Sequence, residues 1–70
     1  MPSFRDQVLY AAIPDLCRSL FGKDGASDLN YEQRQELVRQ IRRRFSADIH
    51  QIVRVTSFSM DDVARYLDAP

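Results

Sequence analysis

The chain has one cysteine, one histidine, two glycines and no tryptophan in 70 residues. A lone Cys17 excludes an internal disulfide. With His50 as the sole histidine, it also excludes a zinc site built from paired cysteines. Cys17 falls within an apolar helical pattern and reads as a buried, unreactive thiol. No apolar run approaches the ~20 residues that a membrane-spanning helix needs. Arg5 and Asp6 follow Phe4 at once, so no signal-peptide pattern is present. These absences point to a soluble, cytoplasmic protein or an excised domain, with no membrane partner.

Catalytic signals are missing too. A Ser-His-Asp site needs a histidine oriented by a carboxylate beside a nucleophile, and His50 sits on the polar side of a short helical pattern. Gly22 and Gly25 do not lie between a strand and a helix, so there is no glycine-rich phosphate loop. Asp61 and Asp62 are neighbours on a helix, and such side chains point about 100° apart. They read as first-turn acids, with Asp61 placed to pair with Arg65. No enzymatic activity, cofactor or metal is expected.

The formal net charge is zero, which removes any strong global attraction to a polyanion. Locally the balance tilts. Tyr31 to Leu67 holds seven arginines against five acids, and the excess centres on Arg42, Arg43 and Arg44. That triplet fits either a solvated helix end favoured by the dipole or a phosphate-binding patch.

The patterns that are present are helical throughout, with no repeat, no low-complexity tract and no strand-like alternation. Phe4, Val8, Ala12, Leu16 and Leu20 recur every four residues beside Leu9, Ile13, Cys17 and Phe21. The spacing predicts an amphipathic helix over residues 4–21, capped by Ser3 and kinked or divided at Pro14, with Gly22 as its C-cap. Residues 22–30 form a loop. Asn30 and Gln33 then suit a capping box for a helix whose apolar face is Leu37, Val38, Ile41 and Phe45.

Ser46 is the expected cap of a short helix from Ala47 to Val55. Thr56, Ser57 and Phe58 form a turn, and Ser59 caps a last helix that runs to Leu67 before a frayed tail. Ile52, Val53, Thr56, Phe58, Val63 and Tyr66 stand where a helix-turn-helix corner closes. The fold expected is therefore all-α: one 70-residue domain of four to five helices, with a helix-turn-helix-like unit over residues 31–67.

In such a unit the outward places of the second helix are Ser59, Met60, Asp61, Ala64, Arg65 and Asp68. Arg65 is placed to reach guanine and Ala64 a thymine methyl, while Ser59 suits a base or phosphate. His50, Gln51 and Arg54 fall on the first helix, near the backbone, and Arg42 to Arg44 supply further phosphate contacts.

Residues 29–67 resemble the helix-turn-helix segment at the C-terminal end of transposase-like proteins of bacterial mobile elements, including the tyrosine transposases associated with repeated extragenic palindromes. The likeness lies in Tyr31-Glu32, the arginine-rich helix end, the run Gln51-Ile52-Val53-Arg54-Val55-Thr56, and Phe58-Ser59. It implies DNA binding accessory to a transposase or regulator, with the catalytic half absent, either as an excised accessory domain or as a stand-alone relic. In the family a histidine pair holds a metal beside a nucleophilic tyrosine. Tyr10, Tyr31 and Tyr66 have no such site and read as core or half-buried residues. Val53 stands at a usually small place. Ser57 stands where the turn usually has glycine, so it is expected either to adopt a left-handed backbone at some cost or to reshape the turn.

Three readings stay open. One is a nucleic-acid module, weak as an isolated domain. The second is an interaction module that pairs with a second copy or a parent protein through Phe4, Val8, Leu9, Leu16, Leu20 and Phe21. The third is a stability element with no partner of its own.

Overall fold

The computed structural model describes residues 4–68, with side chains from residue 5 onward. Ser3, the Phe4 side chain and the tail at Ala69 and Pro70 lie outside the described residues. Among the described residues four α-helices follow in order: α1 Phe4–Phe21, α2 Tyr31–Phe45, α3 Ile49–Thr56 and α4 Met60–Asp68. The count is four, not five, because α1 runs unbroken through Pro14. The expected loop at 22–30 contains one short 3-10 turn, Ala26–Asp28. Among the described residues there is no strand.

Each helix boundary has a local cause. Gly22 follows α1 at φ +67, a left-handed backbone that a side chain would strain, and its N–H reaches back to the Arg18 carbonyl at 3.0 Å. Asn30 and Gln33 form the capping box of α2. The Asn30 side chain accepts from the Gln33 N–H at 2.9 Å, and the Gln33 side chain accepts from the Asn30 N–H at 3.0 Å.

The next boundary differs from the one expected. Ser46 does not cap α3; it closes α2 in a left-handed conformation (φ 52), and Asp48 caps α3 by accepting from the Gln51 N–H at 2.8 Å. A residue committed to the left-handed region cannot also hold the extended backbone of an N-cap. Thr56 likewise belongs to α3 rather than to the turn. Its buried hydroxyl donates to the Ile52 carbonyl at 2.6 Å and accepts from the Phe58 N–H at 3.2 Å. Ser57 takes the left-handed alternative (φ 64), and Ser59 accepts from the Asp62 N–H at 3.1 Å to cap α4.

One hydrophobic core joins the helices. Leu9, Ile13, Leu16 and Cys17 come from α1, Leu37, Val38 and Ile41 from α2, Ile52 and Val55 from α3, and Val63 and Tyr66 from α4. Of the six corner places, Ile52, Thr56, Val63 and Tyr66 are buried, while Val53 and Phe58 are half-buried. Tyr66 stacks edge-on against Tyr31 (5.1 Å between centroids) and Phe58 (6.2 Å). Tyr10 and Tyr31 are each 49% exposed, so only Tyr66 is a core tyrosine.

The first helix is tied to the rest by polar contacts as well. Buried Asp6 accepts from Arg54 Nε at 3.0 Å and from Gln51 Nε2 at 3.3 Å. The Tyr10 hydroxyl donates to the Arg54 carbonyl at 2.8 Å, and Arg5 donates to the Phe45 carbonyl. No helix among the described residues is long and apolar enough to cross a membrane.

Candidate nucleic-acid interface

The ten residues expected to face nucleic acid separate into three groups. The first is gathered at the end of α2. Helical spacing places Arg39 one turn before Arg42 and Arg43, and the three line an open cleft of about 750 Å³. Asp48 and Ile49 of the α3 entry and Leu67 and Asp68 of the α4 exit complete its walls. Three arginines, two acids and two aliphatic residues thus line it.

The arginines differ in their freedom. Arg42 donates to the Ala47 carbonyl at 2.9 Å and so braces the α2–α3 junction. Arg44 lies outside the cleft wall and donates to Gln40 at 3.0 Å. Arg43 is exposed and has no polar partner among the described residues. It is the arginine of the cleft most available to a ligand.

The second group faces α1. Gln51 and Arg54 turn toward Asp6, and Arg54 holds it with two nitrogens, at 3.0 and 3.4 Å. The hydrogen bond to Asp6 raises the Arg54 pKa above its ordinary value, partly offset by desolvation and helped by the charge of Asp6. Arg54 keeps 54% of its side chain exposed, yet its guanidinium is already engaged. His50 is exposed on the same helix.

The third group is the outer face of α4. Ser59, Met60, Asp61, Arg65 and Asp68 are exposed and Ala64 is half-buried, as expected from the helical spacing. The expected Asp61–Arg65 pair is not formed. Arg65 lies 3.9 Å from Asp62 instead, one turn back, and Asp61 is left exposed at the tip. At that distance on an exposed helix the pairing is weak, so Arg65 remains close to free.

Not all of the third group adjoins the first. The arginine cleft meets α4 at Leu67 and Asp68, whereas Ser59 and Met60 lie at the opposite end of the helix, about 12 Å away at 1.5 Å per residue. Arg39 was missed by sequence reasoning, although its spacing from Arg42 and Arg43 is a readable signal. Arg34 was missed with no such signal: its guanidinium lies over the Phe58 ring, 5.4 Å from the centroid, and nothing in the spacing marks that contact.

Cys17 is fully buried in the core, and desolvation, reinforced by the charge of Asp28, raises its pKa. Among the described residues no three His, Cys, Asp or Glu side chains gather to hold a metal ion. No protein-family model, curated protein or solved structure matches the chain.

Proposed function

We propose that the domain binds nucleic acid, holding backbone phosphates in the arginine cleft, with α3 and α4 serving as a helix-turn-helix corner. The observation that carries this reading is the cleft itself: Arg39, Arg42 and Arg43 line one open volume, and Arg43 is exposed with no competing partner among the described residues. The outer face of α4 offers Ser59, Met60, Ala64 and Arg65 for groove contacts. Exposed Asp61 opposes close approach to phosphates. Few bases and an acidic tip imply weak, sequence-tolerant binding, with Kd on the order of micromolar or weaker for the isolated domain.

The resemblance of residues 29–67 to the C-terminal segment of transposase-like proteins makes a palindromic hairpin the probe of choice beside plain duplex and single strand. Fluorescence anisotropy at low salt tests the reading. Binding is expected for the hairpin or duplex and is expected to be lost in Arg43→Glu, a change at an exposed residue that leaves the core intact. Absence of binding to every probe at tens of micromolar protein would sink it.

A protein-association role for α1 has narrower support. Leu9 and Leu16 are core residues, and Leu20 and Phe21 pack against the core. Val8 and Tyr10 are the exposed large apolar side chains that α1 retains among the described residues. Sedimentation of the intact chain distinguishes a self-associating domain from a monomer.

A further inference from the structure

A second, smaller hollow of about 310 Å³ opens where the 3-10 turn, α2 and the α3–α4 turn meet. Arg34, Ser27, Ser57, Ser59 and Asp62 are among the groups around it, and Phe58 supports the guanidinium. We propose that Arg34 and these serine hydroxyls form a seat for a phosphate-type oxyanion.

Arg34 stands apart from most arginines of the chain. Arg18, Arg54 and Arg65 each lie against a carboxylate, and Arg5, Arg42 and Arg44 donate to carbonyl oxygens. Arg34 has neither kind of partner among the described residues, and its Nε is buried without any acceptor. A buried donor without an acceptor is uncommon in folded proteins and calls for an explanation. The Phe58 ring holds the guanidinium in place by a cation–π contact, so its position is set before any anion arrives.

The surroundings suit a tetrahedral anion. Arg34 supplies charge and directional donors, and Ser27, Ser57 and Ser59 supply hydroxyls from two other segments. Ser59 already accepts from the Asp62 N–H, which leaves its own proton free to donate. The hollow has room for several waters at about 30 Å³ each, so a phosphate can enter by displacing solvent. Asp62 is the adverse group, and its carboxylate leans toward Arg65 at 3.9 Å. It makes the seat weak and gives the test a sign.

The seat stands independently of the nucleic-acid reading. A backbone phosphate would use it as an anchor at the opposite end of α4 from the arginine cleft, and free phosphate would use the same groups. NMR of the full chain, titrated with inorganic phosphate against sodium chloride at matched ionic strength, tests it. Saturable shifts are expected at the 57–62 amides and at Arg34 Nε–H, in the millimolar range. Arg34→Gln should abolish them, and Asp62→Asn should tighten binding about threefold or more by removing a nearby like charge.

If Arg34→Gln does not fold, Ser27→Ala combined with Ser57→Gly alters only exposed residues and should weaken binding. Shifts reproduced by a short duplex assign the seat to the nucleic-acid backbone, while shifts with inorganic phosphate alone assign it to the free anion. Shifts no larger than with chloride, or retained in Arg34→Gln, overturn the proposal. Loss of duplex binding in Arg43→Glu with the phosphate shifts intact would separate the cleft from the seat.

Discussion

Asp6 is 3% exposed and Arg54 is half in water, so the two ends of their ion pair are not equivalent. Removing the arginine strips a buried carboxylate of its two-nitrogen partner. Neutralising the carboxylate leaves an arginine that water can solvate. Arg54→Ala is therefore expected to lower the urea midpoint more than Asp6→Asn does, and the reverse order would contradict the burial of Asp6. Cys17 gives a pH-dependent counterpart. Its pKa is raised in the fold, so above the unfolded thiol value of about 8.5 the unfolded chain releases a proton that the folded chain keeps. Stability is expected to fall as pH rises through that value, and Cys17→Ala should remove that part of the slope. Alkylation of Cys17 should track unfolding, because the thiol is buried.

At the scale of the element, two serines occupy left-handed backbone, Ser46 at φ 52 and Ser57 at φ 64. Glycine at either place relieves strain of about 1–2 kcal/mol. The unfolded chain gains freedom worth about 0.5–1 kcal/mol, so the net stabilisation should lie between about 0 and 1.5 kcal/mol by thermal denaturation. The first helix is a larger matter. It contributes Leu9, Ile13, Leu16 and Cys17 to the core. Leu9→Ala should cost about 2–5 kcal/mol. A single small core rarely supplies more than about 3–5 kcal/mol, so deleting residues 1–21 should unfold the remainder by circular dichroism.

The same elements show what could be read in advance. The Asn30–Gln33 pair, Gly22 and the Leu9, Ile13 and Cys17 row of α1 are local patterns, and each sits where it was expected, whereas Val8 of the companion row is exposed. Ser46, Ala47 and Asp48 offered two rival caps within three residues, and backbone handedness, which spacing does not encode, decided for Asp48. The Asp6–Arg54 pair spans 48 positions, so no periodicity reveals that a presumed phosphate contact is engaged elsewhere. Arg34 over Phe58 was illegible for the same reason.

For the whole molecule, zero net charge confines attraction to a few local groups. If Arg39, Arg42 and Arg43 each neutralise one phosphate, the slope of log K against log salt should be about −2.7 for duplex DNA. Affinity should then fall about 40-fold between 50 and 200 mM salt. A slope near zero would place binding outside the cleft, and one near −6 would require contacts well beyond it. The polar ties of α1 carry a further consequence, for the order of assembly during synthesis. Arg5, Tyr10 and Asp6 find their partners 40, 44 and 48 positions downstream. A ribosome that has exposed α1 and α2 alone has not yet made Gln51 or Arg54, so Asp6 has neither donor and the apolar side of α1 lacks α3. The first of these four helices to emerge is thus among the last to be locked, and a nascent chain halted before residue 54 should leave it open to proteases.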